Sequence, residues 1–180
     1  LTHNMEAYLA WMPHPLCEGI ALEGIERIGM SLEKAVKHPE VESRSQMLIA
    51  SLMGAVAFQK GLGVVHSLAH PLSSLLDTHH GLANAINLPY GMAFNQNACT
   101  AKFKKIAERL GLHVSNNNEV IDHLHDLNAR IGIPSRLRDI GVKEEHIDTL
   151  ADLAFADFAH PNNPIPVSRA DFHALYKKAL

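Results

Sequence analysis

The chain has 180 residues, of which 47% are hydrophobic, and a formal net charge of -3 at pH 7. This length suits one domain large enough to bury a hydrophobic core. A slightly acidic chain without clustered Lys and Arg is not expected to bind nucleic acid. No apolar run approaches the roughly 20 residues of a membrane-spanning helix, so no membrane insertion is expected. The two cysteines, Cys17 and Cys99, form neither a CxxC pair nor a disulfide framework, which is typical of a cytoplasmic protein.

The spacing of apolar residues is helical along nearly the whole chain. One helical stripe runs from Leu22 to Val36 and ends before Pro39, because proline disfavours helical backbone at the residue before it. A second helix is predicted to start near Val41. The apolar residues on one of its faces are Leu48, Leu52 and Ala55.

The second half of the chain shows the same period. A helix is predicted over Ala98–Leu110. Asn116–Glu119 resembles a capping box and precedes a stripe that ends at Ile131. Gly141–Glu145 opens a further helix with acidic residues in its first turn, and Ser168 caps a final one. With no strand-like alternation of useful length, the sequence predicts an all-α, multi-helix bundle.

A dinucleotide is not expected to bind this chain through a Rossmann fingerprint. Gly61-Leu-Gly63 is the nearest match, and it lacks the third glycine at the required spacing. No βαβ pattern surrounds it.

Histidine is the unusual component, with 13 dispersed residues. The run from Gly61 to Asn84 places His66, His70 and His80 among small and apolar residues. Neutral imidazole is well suited to hold a divalent transition metal at physiological pH, and a buried ring nitrogen needs a partner. The sequence therefore predicts a metal site in this run.

Spacing alone leaves two pairings open. His66 and His70 are four residues apart, so they share one face of a helix. His66 and His80 also share an azimuth, but about 21 Å of straight helix would separate them. One ion can bind both only if the chain folds back between them, and Pro71, Ser73-Ser74 and Asp77-Thr78 offer an interruption.

The alternative is that these histidines are ordinary interior residues. A lone histidine on an apolar helix is more often hydrogen-bonded in the core than bound to a metal, and the glycine-framed clustering favours the metal. His79 is predicted to face away, and His3 alone carries little functional signal. Surface roles are predicted for the remaining histidines: His14, His38, His113, His123, His125, His146, His160 and His173.

Several segments together resemble the iron-dependent (group III) alcohol dehydrogenases. The segments are Leu1-Thr2-His3-x-x-Glu6-Ala7-Tyr8, Ile20-Ala21-Leu22-Glu23-Gly24, Gly63-x-x-His66-x-x-x-His70-Pro71-Leu72, His80-Gly81-x-Ala83-Asn84-Ala85, Leu88-Pro89, Phe94-Asn95, Ile131-Gly132-Ile133-Pro134 and Asn163-Pro164-x-Pro166. Members of that family join an N-terminal α/β domain, which binds NAD or NADP, to a C-terminal all-α domain that carries the metal. The resemblance covers only the second. It implies that residues 1–180 form a single helical metal-binding domain, one part of a two-domain enzyme.

The resemblance also assigns the site. His3, His66 and His80 match the family's metal-binding histidines, which favours the 66/80 pairing. His70 matches a histidine beside the metal and is the implied catalytic residue. The fourth family ligand is an aspartate two residues before Leu1, so we expect the three histidines alone to bind a metal more weakly.

The implied activity is oxidation and reduction of small alcohols and aldehydes with NAD or NADP in the full-length parent. The implied metal is Fe²⁺, and Zn²⁺ suits the same imidazoles. We expect this chain alone to be inactive, because its partner, the nucleotide-binding domain, is missing. Apolar surface that would meet that domain favours a homo-oligomer.

Other functions remain open from the sequence. The dehydroquinate synthase-like architecture also includes lyases and reductases. A helical module could instead bind a metal or a protein partner without catalysis.

Overall fold

The computed structural model describes all 180 residues, and every regular element in it is helical. This confirms the predicted all-α fold. The nine α-helices are Thr2–Leu9 (α1), Pro15–Lys37 (α2), Val41–Ala57 (α3), Val64–Leu76 (α4), His80–Asn95 (α5), Thr100–Arg109 (α6), Asn118–Arg130 (α7), Ile147–Phe155 (α8) and Arg169–Ala179 (α9). Short 3₁₀ turns cover Phe58–Lys60, Leu137–Ile140, Glu144–His146 and His160–Asn162.

The predicted helix boundaries hold where a proline or a side-chain cap sets them. α2 ends at Lys37, before Pro39, and α3 begins at Val41 as predicted. Ser168 caps α9, since its hydroxyl accepts a hydrogen bond from the Asp171 N–H at 3.2 Å.

Two predicted helix starts differ in detail from the structure. Glu119 accepts a hydrogen bond from the Ser115 N–H at 3.1 Å, one residue before the expected partner, and α7 begins at Asn118. The helix predicted from Gly141 begins as the 3₁₀ turn Glu144–His146, which continues into α8.

Helix α1 lies against α2 and α3 at two glycines. A Cβ atom on Gly24 would lie 2.3 Å from Asn4 Oδ1, and one on Gly54 would lie 3.1 Å from His3 Cβ. Asn4 Nδ2 donates a hydrogen bond to the Ala50 carbonyl at 3.1 Å. The two glycines therefore permit the close approach that places His3 over the start of α4.

Helix α3 buries small residues and exposes large ones. Ala50, Gly54 and Ala57 are its buried positions near the crossing with α1 and α2. Leu48 and Leu52, on the predicted apolar face, are 73% and 65% exposed. The apolar face exists as predicted, and it lies on the surface of this chain.

None of the helices, taken alone, combines the length and the hydropathy of a membrane-spanning segment. Val41–Lys60 and Val64–Leu76 together reach the required length and composition, but they bend by 107° at the break between them.

The chain reverses between α4 and α5, which settles how His80 can return to His66. Asp77 ends α4 in the left-handed conformation, with φ 52° and ψ 29°. Pro71 stays inside α4, so it is not the interruption that the sequence offered as one possibility. His80 is the first residue of α5 and therefore follows the reversal directly.

Candidate metal centre

The structure brings the predicted histidines together from three helices. The ring centroid of His66 lies 4.5 Å from that of His3 and 5.5 Å from that of His80. His70 completes the group, with its ring centroid 5.7 Å from His66 and 5.4 Å from His80. These four residues are called the histidine cluster below.

Glu6 of α1 holds His66 at the start of α4. One carboxylate oxygen accepts from the Val65 N–H at 2.7 Å, and the other accepts from the His66 N–H at 3.2 Å and lies 2.5 Å from His66 Nδ1. These N–H groups belong to the first turn of α4, where no carbonyl within the helix can pair with them. An acidic group is also stabilised there by the helix dipole. Glu6 and His66 are both buried.

The contact with Glu6 fixes which nitrogen of His66 is free. A carboxylate can only accept, so in the neutral form of His66 the proton lies on Nδ1 and the lone pair on Nε2. His66 Nε2 is buried and has no hydrogen-bond partner. Leaving such an atom unpaired costs about 1–3 kcal/mol, and a metal ion is a partner that would satisfy it. The donor set thus fits a transition metal.

His3 is held neutral, as a metal ligand must be. Burial, followed by the nearby rings and the N-terminal amine, lowers the pKa of His3 to about 4. Its ring also packs at 5.7 Å from the ring of Phe58. At physiological pH the imidazole of His3 is therefore neutral, and one of its ring nitrogens has a free lone pair.

His80 is exposed, and its Nε2 is engaged by a neighbour. Asn84 Nδ2 donates to His80 Nε2 at 3.0 Å and to the His80 carbonyl at 3.1 Å. Burial, then the charges of neighbouring histidines, lowers the pKa of His80. In this arrangement no group of three His, Cys, Asp or Glu side chains is placed so that it could bind one metal ion. For His80 to bind an ion through Nε2 together with His3 and His66, it must release Asn84.

His70 lies beside these rings and pairs with Asp157, which follows α8. His70 Nδ1 is 2.8 Å from Asp157 Oδ2. The ring is stacked between Phe158 and His80, with both centroids at 5.4 Å. Burial raises the pKa of the Asp157 carboxyl, but hydrogen bonds from His70, Ser67 and a backbone N–H outweigh it and hold the pKa at about 2. Asp157 is therefore ionised.

A cavity of about 260 Å³ borders the cluster on the side of His3 and His80. Its apolar wall is formed by Leu1, Leu32, Ala85, Leu88, Leu127, Ile131 and Ile133. Asn84 also lines it, and its buried Oδ1 has no hydrogen-bond partner. The cavity can take a small, mainly apolar molecule next to the imidazoles.

Sequence reasoning missed Glu6, Asn84 and Asp157 as functional neighbours of the histidines. Glu6 had a signal, because it lies three residues after His3 on one helix and so shares its face. Asp157 had none, since it is separated from His70 by 87 positions in the chain.

Comparisons with known proteins agree with this fold. A crystal structure of 1,3-propanediol oxidoreductase superposes on 99% of the chain with a TM-score of 0.96 and 34% identity, and the chain covers 49% of that structure. The 4-hydroxybutyrate dehydrogenase of Cupriavidus necator is 36% identical over the whole chain, which covers 49% of that enzyme. The NAD-dependent methanol dehydrogenase of Bacillus methanolicus is 38% identical over the whole chain, again 49% of the enzyme.

The fold and these similarities define a helical region that corresponds to about half of an alcohol dehydrogenase. A sequence model described as "Fe-containing alcohol dehydrogenase family, C-terminal" matches residues 1–180. The chain belongs to the Fe-containing alcohol dehydrogenase family and corresponds to its C-terminal region. It spans about half the length of the curated relatives it matches.

Proposed function

We propose that residues 1–180 are the single helical metal-binding domain of an NAD- or NADP-dependent dehydrogenase that interconverts small alcohols and aldehydes. The observation that carries the proposal is the buried, unpartnered Nε2 of His66, surrounded by the rings of His3, His70 and His80. Family membership supports the reaction class.

His3, His66 and His80 would hold the metal, which we propose to be Fe²⁺, with Zn²⁺ compatible with the same donors. When bound, the ion supplies Lewis-acid stabilisation of the substrate oxygen. Glu6 accepts the hydrogen bond of His66 Nδ1–H, so the lone pair of the ring lies on Nε2, on the side away from the carboxylate. Carboxylates commonly orient metal-binding histidines in this way.

His70 would act on the substrate proton. Its ring lies next to the three proposed ligands and has one nitrogen bound to Asp157. The other nitrogen is then available to accept a proton from an alcohol or return one to it. The apolar cavity beside His3 and His80 supports a small substrate with an apolar tail.

The hydride carrier would come from outside this chain. Gly61-Leu-Gly63 precedes α4 in an all-helical fold, which offers no Rossmann site. We propose that a nucleotide-binding domain acts together with this one, and that the chain alone does not oxidise alcohols with NAD or NADP.

Metal titration of this chain tests the proposal. We expect Co²⁺, used as a spectroscopic probe for the iron or zinc site, to bind with about one equivalent and to give a tetrahedral absorption signature. His66→Ala and His80→Ala should abolish that signature. His79→Ala is the matched control, because His79 is exposed and adjacent to His80. Equal binding by all four proteins would overturn the ligand assignment.

Activity needs a separate test with a full-length protein that contains this sequence. NAD- and NADP-linked oxidation of short alcohols should depend on the metal and on His66. Persistence of turnover in His66→Ala would contradict the proposed function, and absence of any alcohol oxidation would favour a lyase of the same architecture.

A further inference from the structure

Asp157 is a mostly buried, ionised side chain next to the histidine cluster, with its side chain 9% exposed, and it is not a proposed metal ligand. We propose that Asp157 is a positioning residue that holds His70 with its proton on Nδ1 and with Nε2 as the free proton acceptor. The catalytic role of this tautomer rests on the proposed function, whereas the prediction of the tautomer rests on the structure alone.

Three donors fix the orientation of the Asp157 carboxylate. Oδ1 accepts from the Ser67 hydroxyl at 2.6 Å and from the Ala159 N–H at 2.9 Å, while Oδ2 faces His70 Nδ1 at 2.8 Å. Ser67 Oγ in turn accepts from the His160 N–H at 2.9 Å. Because Ser67 Oγ accepts from this N–H, its own proton is donated to Asp157.

An ionised carboxylate determines the tautomer of the imidazole it faces. The low pKa of Asp157 keeps this carboxylate an acceptor, so His70 Nδ1 must donate. The lone pair of a neutral His70 then lies on Nε2. Stacking between Phe158 and His80 restricts rotation of the ring, and the His70 side chain is 29% exposed.

In the proposed function, alcohol oxidation balances with His70 as the proton acceptor and with NAD or NADP, supplied from outside this chain, as the hydride acceptor. The C–H bond breaks with its electron pair going to the oxidised nicotinamide, which is reduced. The O–H bond breaks with its electrons forming the carbonyl, and the proton moves to His70 Nε2. Asp157 then faces an imidazolium, whose charge it stabilises. Aldehyde reduction follows the same transfers in reverse.

The structure predicts that Asp157→Asn reverses the tautomer. The Ala159 N–H can only donate, so the amide oxygen of the new side chain must take the Oδ1 position. The NH₂ group then faces His70 Nδ1 and also donates. His70 must accept there, which moves its proton to Nε2 and removes the acceptor from the cluster.

The experiment is nitrogen NMR of this 180-residue chain with ¹⁵N-labelled histidine. Metal is removed by chelation, and the pH is set well above the ordinary histidine pKa of about 6.5. His70 is assigned by the signal lost in His70→Gln. We expect protonated Nδ1 and unprotonated Nε2 in the unmutated chain, and the two ring-nitrogen shifts should exchange places in Asp157→Asn.

The matched control is Asp152→Asn. Asp152 is a carboxylate of α8 that pairs with Arg169 instead of a histidine, so its substitution should leave the His70 signals unchanged. Protonated Nε2 in the unmutated chain would overturn the proposal, as would a His70 tautomer that is the same in Asp157→Asn. If Asp157→Asn does not fold, the spectrum of the unmutated chain still decides.

Failure here is distinguishable from failure of the proposed function. Absence of Co²⁺ binding would contradict the metal site of the proposed function. The NMR experiment tests the tautomer of His70 without metal or substrate, so its result does not depend on Co²⁺ binding.

Discussion

Glu6 of α1 and His66 of α4 form a buried carboxylate–imidazole pair, with 2.5 Å between Oε2 and Nδ1. The same carboxylate accepts hydrogen bonds from two backbone N–H groups of α4. Glu6 therefore joins two helices and also sets the tautomer of His66. A stability effect and a metal-binding effect should both follow from its loss.

Glu6→Gln should weaken both properties. An amide NH₂ would have to face at least one donor, either a backbone N–H of α4 or His66 Nδ1–H, and so leave it unpaired. We expect a loss of about 1–3 kcal/mol in the free energy of unfolding, measured by urea titration. Co²⁺ affinity should fall about 10–100-fold, because the carboxylate that accepts from His66 Nδ1–H is lost. Glu42→Gln, at an exposed position in the first turn of α3, should leave Co²⁺ affinity unchanged and change the free energy of unfolding by only a few tenths of a kcal/mol.

Asn84→Ala should strengthen metal binding. Asn84 donates to His80 Nε2, and this hydrogen bond must break before that nitrogen can bind an ion. Removing a net hydrogen bond of about 1 kcal/mol predicts an increase of about fivefold in Co²⁺ affinity. Calorimetric titration of the two proteins measures it. A weaker affinity in Asn84→Ala would show that the asparagine supports the bound state instead.

The sequence predicts the helices well because their signals are local. Pro39 ends α2, Ser168 caps α9, and the 3.6-residue period is visible within single segments. His66, His70 and His80 were predicted as candidate site residues from their segment, whereas His3 was assigned by the family resemblance alone. Spacing left two pairings open, and only the family resemblance favoured the 66/80 pairing.

The neighbours of the cluster could not be predicted in the same way. Asp157 meets His70 across 87 positions, and that contact depends on how α8 packs against α4. The surface position of Leu48 and Leu52 depends on packing too, since an apolar helical face looks the same in sequence whether or not another element covers it.

The stability of the chain in acid should depend on Asp157. Its pKa is about 2 in the folded state, below the ordinary value of 3.8, so the unfolded state binds a proton first as the pH falls. The contribution, about 2 kcal/mol, is present above pH 4 and is lost between about pH 4 and 2. Urea midpoints should show Asp157→Asn destabilised at neutral pH, with the difference from the unmutated chain shrinking over that window. A constant difference would contradict this assignment.

Gly24→Ala and Gly19→Ala should change stability in opposite directions, although both lie in α2. Alanine is favoured over glycine inside a helix by about 1 kcal/mol. Nothing lies within 4 Å of a Cβ on Gly19, so Gly19→Ala should raise the free energy of unfolding by about that amount. A Cβ on Gly24 would lie 2.3 Å from the buried Asn4 side chain, so Gly24→Ala must displace that side chain or the helix α1 that carries it, at a cost of about 1–3 kcal/mol. Because α1 carries His3, Gly24→Ala should also weaken Co²⁺ binding, whereas Gly19→Ala should leave it unchanged. Equal stabilisation by both substitutions, measured by thermal and urea unfolding, would contradict the close approach of α1 to α2.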